Sequence, residues 1–308
     1  MDGDPMRALQ AISRWWTPEL PLARVAVLRA VIYGFVVIDC LVFVNDVIPH
    51  GYAPGLYQPT LLGRVLPLPA PSPAWGWFLL VTIVVGCVVA GLGRLPRLAG
   101  WTVAAAFTAW MVNSIGYGYV QHDHLALMIA VLVLPTVGRA RYTDEGSSEA
   151  AGWALRSIQV ATVLTYVGSA VNKWMLNGSP WAWANSSITT WALVRRGSPF
   201  VTWVLDFPAL LRGTQWVVFV AELFAPVVLF LRGRALAVGV GFWMLFHLMT
   251  FVALGIHFLP TVVCWAAFLP LERLVPWVRR RRAGRGHGTD PSRERPAQAD
   301  GERSGASR

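Results

Sequence analysis

Lys173 is the one lysine in a chain whose other 25 basic residues, of 26 in total, are all arginine. It follows an apolar stretch at 157–171 that is a good candidate for a membrane span. An arginine keeps its proton in a protein, whereas a lysine can lose its proton when it is desolvated. The position therefore points to a titratable amine that acts as a base. The alternative is that Lys173 anchors the end of a helix at the membrane interface.

Further ionisable side chains lie in or beside apolar segments, where such residues are candidates for function. They are Asp39 in the first segment, Glu222 and His247 in the middle of later ones, His122, Asp123 and His124 at the start of the fourth, and His257 at the start of the eighth. We expect His122, His124, Lys173 and His257 to lie at one level near the outer leaflet, with Asp39 slightly below, and at least two to share a cavity. Together they would form an acid–base site. The alternative is that each caps a helix end or satisfies backbone groups at the interface.

Other kinds of site have little support in the sequence. His122 and His124 with His257 supply three nitrogen ligands, but HExxH spacing is absent, so we predict no metal site. No GxSxG motif occurs, and no glycine-rich phosphate loop follows a strand. The cysteines, at 40, 87 and 264, lie in separate apolar segments without CxxC spacing, which indicates buried, inert thiols.

The composition indicates a polytopic α-helical membrane protein. The chain is 55% hydrophobic and 14% charged, whereas soluble domains carry about 25% charged residues. Its apolar runs are continuous rather than alternating, which disfavours a β-barrel. Eight hydrophobic segments are predicted, at 25–44, 75–92, 98–116, 124–137, 154–172, 214–231, 235–254 and 257–270. A span needs about 20 residues, so the short fourth and eighth segments leave six to eight full spans in an all-α transmembrane bundle.

The arginines predict the orientation. Connections that contain arginines alternate along the chain with connections that nearly lack them. The first kind lies at 93–97, 138–153 and 232–234; the second lies at 45–74, 117–123 and 255–256, where Arg64 is the one arginine. Both termini are therefore predicted to be cytoplasmic, in a multi-pass protein of the cell membrane. The long connection at 173–213 is the exception, with three arginines outside. Arg29 and Arg156 lie near cytoplasmic helix ends, where we expect them to snorkel to the interface as anchors.

Three regions follow from these patterns. Residues 1–23 form an amphipathic segment, 24–275 the transmembrane domain, and 276–308 a disordered basic cytoplasmic tail. Nine arginines against four acids in 279–308 supply about half of the net charge of +10, so membrane lipid rather than nucleic acid is the expected partner. The Pro- and Gly-rich 45–74 connection is predicted to be an external lid without a helix, and a short interfacial helix is predicted near 186–195.

Four stretches resemble the HTTM membrane domain: HDHLALMIAVLVLP (122–135), IQVATVLTYVGSAVNKWMLNG (158–178), VAELFAPVVLFL (220–231) and FHLMTFVALGIHFLPTVVCWAAFLP (246–270). This domain is the membrane part of vitamin K-dependent γ-carboxylase and of many bacterial relatives, including a subfamily that matures a sporulation-delaying peptide toxin. The likeness covers roughly 20–275.

The resemblance implies roles for particular residues. Lys173, after Tyr166 and Gly168, matches the lysine proposed to deprotonate reduced vitamin K, whose oxygenated product then abstracts a glutamate γ-proton. His124 and His247 match two further histidines. The chain departs from the family where Asn172 and Trp174 flank the lysine, and it has no counterpart of the large lumenal domain that helps to hold the protein substrate.

Two main functions stay open. One is a carboxylase-like enzyme with Lys173 as base on a quinol or other lipid-soluble substrate, supported by His124 and His247, with His122, His257, Asp39, Glu222 and Tyr166 as further candidates. This enzyme hypothesis needs a cavity that joins Lys173 to His124 or His257, and it implies a reduced quinone as cofactor. The other is a non-enzymatic membrane partner that matures or exports a small secreted peptide. A small-solute transporter is a weaker third reading, because no inverted repeat is evident.

Overall fold

A computed structural model describes residues 5–118 and 122–274 of the chain, which are mostly helical and contain almost no strand. The predicted tail at 276–308 lies outside the described residues. The α-helices within the described ranges are α1 (Pro5–Trp16), α2 (Leu22–Ile38), α3 (Val47–His50), α4 (Leu61–Val65), α5 (Pro73–Gly91), α6 (Leu98–Ile115), α7 (Leu125–Val133), α8 (Glu149–Asn177), α9 (Pro180–Trp183), α10 (Ser187–Arg196), α11 (Pro208–Leu223), α12 (Gly233–Leu254) and α13 (Leu259–Cys264).

Shorter turns extend several of these helices. A π-helical turn (Asp39–Phe43) continues α2, and 3₁₀ turns occur at Pro54–Leu56, His122–His124, Leu134–Val137, Thr202–Asp206, Ala225–Phe230, Trp265–Phe268 and Leu271–Arg273. Two short strands, β1 (Leu20–Pro21) and β2 (Ser147–Ser148), pair in antiparallel fashion. This pairing ties the start of α2 to the start of α8.

Five helices are long and apolar enough to cross a membrane: Leu22–Phe43, Pro73–Gly91, Leu98–Ile115, Glu149–Asn177 and Gly233–Leu254. The segments predicted at 124–137 and 257–270 form shorter apolar helices, at His122–Val137 and Leu259–Phe268. The segment predicted at 214–231 begins earlier, at Pro208, and changes from α11 to a 3₁₀ turn after Phe224. Pro226 lies in that turn and has no N–H to continue the α-helical ladder.

Serine caps fix where the helices begin. The Ser72 hydroxyl accepts a hydrogen bond from the Trp75 N–H at 3.2 Å, and Ser148 and Ser179 cap α8 and α9 in the same way. Such caps satisfy backbone donors that would otherwise stay unpaired in the first turn. At the other end of α8, Gly178 adopts a left-handed conformation with φ of 75°, which lets the chain turn sharply after the helix that carries Lys173.

The two largest packed regions build most of the bundle, and a third, smaller one lies around Trp183 and Phe219. The larger core joins α2, α5, α6, α7 and the first half of α8. The second joins the later half of α8 with α12 and the 3₁₀ turns at 225–230 and 265–268. Glycine permits the closest contact in the first region: a Cβ at Gly86 of α5 would lie 2.6 Å from Val103 of α6. Small residues at such crossings let apolar helices approach through van der Waals packing.

An ion pair closes the bundle at the end where α2 starts. Arg24 donates from Nε and Nη2 to the two carboxylate oxygens of Glu272, at 2.7 and 2.8 Å. Burial alone would raise the pKa of Glu272, but the paired arginine outweighs that effect and the pKa falls below its ordinary value. The bidentate contact joins the first long helix to the last described turn.

The long connections between helices are largely ordered. The 45–74 connection contains α3, α4 and a 3₁₀ turn, so the expectation that it lacks helix is wrong at those positions. It folds back onto the end of α6, where the Gln58 N–H donates to the Gly116 carbonyl at 2.8 Å. A helix is also present where the sequence predicts one near 186–195, as α10.

Candidate functional site

A cavity of about 440 Å³ lies between α8, α11, α12 and the start of α13. Its wall is mostly apolar, with Val218, Phe246, Leu254 and Phe258 among the lining side chains, and polar groups project from the facing helices. The predicted residues that line it are His122, Tyr166, Lys173, Glu222 and His247. The volume falls within the usual range for small-molecule sites, about 300–1,000 Å³.

Lys173 and Glu222 form an ion pair in this wall. The Lys173 ammonium of α8 donates to Oε2 of Glu222 on α11, and the Ser169 hydroxyl donates to Oε1 at 3.3 Å. Ser169 and Lys173 are four residues apart, so they share one face of α8. The side chain of Lys173 is 20% exposed and that of Glu222 is 6% exposed. Both carboxylate oxygens therefore have donors, and the amine is the member of the pair that is open to the cavity.

Trp183 lies over the lysine. The Lys173 Nζ is 4.9 Å from the centre of the Trp183 ring, a cation–π geometry. Gln215 of α11 holds this part of the chain in place: its carboxamide oxygen accepts from the Ser186 N–H at 2.6 Å, and its Nε2 donates to the Trp183 carbonyl at 3.3 Å. The connection after α8 thus folds over the cavity and is fixed to α11 beneath it.

A second buried pair joins α8 to α12. The Tyr166 oxygen lies 2.6 Å from Nε2 of His247 and accepts a hydrogen bond from Nε1 of Trp265 at 2.8 Å. Nδ1 of His247 has no partner among the described residues. If the Tyr166 hydroxyl donates to Nε2 of His247, only the Nδ1–H of His247 stays unpaired. If instead Nε2 carries the proton and donates to Tyr166, both the tyrosine proton and Nδ1 stay unpaired. The first arrangement therefore satisfies more of these groups.

His124 is placed differently from the expectation of a shared cavity. Its Nε2 lies 3.1 and 3.2 Å from the two oxygens of Asp39, and its Nδ1 lies 3.0 Å from Asp123. Both side chains of the His124–Asp39 pair are buried, and the π-helical turn begins at Asp39. A carboxylate at each ring nitrogen suits an imidazolium, which donates from both.

The enzyme hypothesis required a cavity that joins Lys173 to His124 or to His257, and the cavity joins it to neither: within the described ranges, neither histidine lines it. The His257 ring instead lies 4.6 Å from the ring of Phe43. His124 is connected to the wall only indirectly, because Thr261, a lining residue, donates to the Asp123 carbonyl at 2.8 Å. His122 and His247 are the histidines that share the cavity with Lys173.

A second cavity of about 740 Å³ adjoins the first and is lined by Asn172 and Leu176 on α8 and by Ile188 on α10. Lys173 and His122 line both cavities. The amine is therefore accessible from two sides of the α8 end.

Several contributors to this site were not identified from the sequence. Ser169, Trp183 and Trp265 each contact a predicted residue, and Gln215 holds Trp183 in place. The four-residue spacing of Ser169 and Lys173 was a usable signal, whereas the other three depend on which helices are neighbours. The three cysteines are free and buried, and the residues at 5–118 and 122–274 contain no group of His, Cys, Asp and Glu arranged to hold a metal ion.

Comparison with known proteins does not assign the chain to a family. No protein-family model, no curated protein and no solved structure matches this chain. The likeness to the HTTM domain stays a prediction, and the chemistry of the site has to be argued from its own geometry: an amine and a carboxylate in contact, beside a tyrosine–histidine pair, in an apolar cavity.

Proposed function

We propose that this chain is an integral protein of the cell membrane, of HTTM type, whose eight hydrophobic segments supply six to eight full spans, with both termini in the cytoplasm. Five long apolar helices support this topology. The arginines of the connections at 93–97 and 138–141 line one common cavity, as expected if those connections share a side of the membrane. Lys173 then lies near the outer surface.

Within this topology, we propose that Lys173 acts as a base on a quinol or another lipid-soluble substrate with an ionisable hydroxyl group. The observation that carries the proposal is the Lys173–Glu222 pair in the wall of an apolar cavity. A chain that uses arginine at every other basic position keeps, at this one, an amine that can release its proton.

Glu222 is the group that prepares the amine. Transfer of one proton from the Lys173 ammonium to the Glu222 carboxylate leaves the pair neutral, with a free amine beside the cavity. The amine can then accept the proton of a substrate hydroxyl, and the ammonium that results faces the oxyanion. Ser169 donates to the other carboxylate oxygen and keeps the acid oriented. Proton transfer by a positioned side chain accelerates a reaction by about 10²–10⁴-fold.

The lining fits a quinol headgroup. The cavity offers apolar surface for a quinol ring at Phe246, Phe258 and Val218. Its polar lining includes Lys173 and His247. A bound quinol would supply the acidic hydroxyl and, with dioxygen, the oxidising chemistry. The hydrogen bond between Tyr166 and His247 fixes the position of both side chains in the wall. His124 supports the wall indirectly, through the neighbouring Asp123, whose carbonyl accepts from Thr261.

The test is quinol oxygenation by the purified full-length protein in nanodiscs. Reduced vitamin K or menaquinol is supplied with dioxygen, and quinone epoxide is measured; water is the other product. We expect epoxide from the wild type and none above background from Lys173→Ala and Lys173→Arg. The arginine variant is the sharper control, because it keeps the positive charge opposite Glu222 but cannot act as a base. No epoxide from folded wild-type protein, or full activity in Lys173→Arg, would refute the proposal.

A second function has its own observation. The connection between α8 and α11 exposes large aromatic side chains, including Trp181 at 73% exposure, Trp191 and Phe200. Such a surface suits docking of a small secreted peptide. A photo-crosslinker at position 191 would then capture that peptide equally well in the wild type and in Lys173→Ala, whereas the enzyme proposal predicts that the lysine matters.

A further inference from the structure

Among the residues that the structure describes, Arg29 is a buried cation without a carboxylate partner. Its side chain, in the second turn of α2, is 1% exposed rather than snorkelling to an interface as expected. Nη2 donates to the Gly138 carbonyl at 2.8 Å, while Nε and Nη1 have no acceptor among the described residues. The hydroxyl of Tyr33, one turn further along α2, is buried and also unpartnered. A buried charge is costly unless it is paired.

The surroundings of Arg29 add positive charge. Arg29 lines a cavity of about 380 Å³ together with Arg94 and Arg141. A neighbouring cavity of about 750 Å³ shares Arg94 and Arg141 and adds Arg97 and Arg139. Within the described part of the chain, neither cavity is lined by an aspartate or glutamate. Five guanidinium groups therefore line one continuous region at this end of the bundle.

The turn at Gly138 brings Arg29 and Arg97 together. Gly138, whose carbonyl accepts from Arg29, has φ of 71°, and a Cβ there would lie 3.0 Å from Nε of Arg97. Arg29 and Arg97 thus approach the same turn from two helices. The neighbouring Asp144 is engaged elsewhere, since its Oδ2 accepts from the backbone N–H of Arg141 at 2.8 Å.

Orientation in the membrane does not explain the burial. Exposed arginines in short connections are sufficient for the positive-inside rule, and Arg94, Arg97, Arg139 and Arg141 are exposed. Arg29 is different because its charge is enclosed while two of its nitrogen atoms lack acceptors. A planar guanidinium with free donors is the group that binds phosphate oxygens in a bidentate manner.

We propose that this arginine-lined region binds a phosphate-bearing anion, with Arg29 at the base of the site and Arg94 and Arg141 at its rim. The phosphate belongs either to the headgroup of an acidic phospholipid or to a soluble phosphate compound. The site is distinct from the Lys173 cavity and does not depend on the function proposed for it.

The experiment measures thermal unfolding of the full-length protein in nanodiscs at constant ionic strength. One arm compares phosphatidylcholine alone with phosphatidylcholine containing phosphatidylglycerol; the other adds inorganic phosphate, against chloride, to phosphatidylcholine discs. We expect either the anionic phosphatidylglycerol or inorganic phosphate to raise the unfolding midpoint by about 5 °C near saturation. A rise with phosphatidylglycerol alone identifies a lipid headgroup, and a rise with inorganic phosphate identifies a soluble ligand.

Variants connect the effect to the site. Arg29→Met should weaken the apparent affinity roughly tenfold or more, since a charge-assisted contact is lost. Arg94→Gln, at the exposed rim, tests the same site if Arg29→Met does not fold, and Arg196→Met, an exposed arginine on α10, is the matched control that should respond like the wild type. The proposal is overturned if neither arm raises the midpoint above its own reference, phosphatidylcholine alone or chloride, or if the rim variant responds as strongly as the wild type.

Discussion

Replacing both members of the Lys173–Glu222 pair should cost less stability than replacing Lys173 alone. Lys173→Met leaves a carboxylate that is 6% exposed without its counter-ion. Removing one partner of a buried pair costs about 3–5 kcal/mol. Because Ser169 still donates to this carboxylate, we place the cost at the lower end, about 3 kcal/mol.

The expected stabilities of the Glu222 variant and of the double variant, which complete a double-mutant cycle, follow from the exposure and shape of the side chains. Glu222→Leu leaves an amine whose side chain is 20% exposed, so water reaches it and the cost is about 2 kcal/mol. The double variant removes both charges and leaves apolar groups of similar length, which is often neutral, so we expect a change within about 1 kcal/mol of the wild type. The coupling energy between the two positions is then about 4–6 kcal/mol.

Thermal unfolding in one detergent or nanodisc preparation measures all four proteins. For 308 residues, about 2 °C per kcal/mol is expected, so Lys173→Met lowers the midpoint by about 6 °C and the double variant by no more than about 2 °C. Additive effects, with each single variant within about 1 °C of the wild type, would refute a buried pair. The double variant also separates structure from chemistry, because it should be stable yet inactive in the epoxide assay.

Three further predictions test other parts of the structure. Because the pKa of Glu272 is lowered, its ion pair stabilises the fold above the unfolded-state pKa of about 4.3, and this contribution is lost as pH falls through the folded-state pKa. Glu272→Gln should therefore flatten the acid side of a stability–pH profile, and an unchanged profile would contradict this. Tyr166→Phe leaves two buried nitrogen atoms, one of them on His247, without their partner and should cost about 2–4 kcal/mol in thermal unfolding, whereas a near-neutral effect would rule out the hydrogen-bonded pair. A membrane-impermeant maleimide should label Arg196→Cys in intact cells and Glu145→Cys only after lysis, against an unlabelled wild type whose cysteines are buried; the reverse pattern would invert the topology.

Hydropathy located the long helices well because each can be recognised from its own residues. The segments predicted at 25–44, 75–92, 98–116, 154–172 and 235–254 correspond to the five long apolar helices. Boundaries were less predictable where polar residues extend a helix. The helix containing Lys173 continues to Asn177, so the lysine lies one turn inside the helix rather than at its end.

Depth along a helix can be estimated from sequence, whereas the identity of the neighbouring helix cannot. Lys173 and Glu222 were both recognised as ionisable groups in apolar surroundings, but no pattern showed that α8 and α11 would place them in contact. The same limit applies to His124, which was grouped with Lys173 by depth and instead lies against Asp39. Lateral packing depends on side-chain shapes that a hydropathy profile does not contain.

The buried charges of this chain are balanced in two different ways, and the difference separates the two proposed sites. Glu222 and Asp39 each have a basic partner within the chain. The proposed Lys173 site therefore has its charges balanced within the chain, as a preorganised acid–base centre would. Arg29 has one backbone carbonyl and further arginines around it, so we expect its compensating charge to come from the anion proposed above. Ligand removal should accordingly destabilise the arginine end of the bundle while leaving the Lys173 cavity intact.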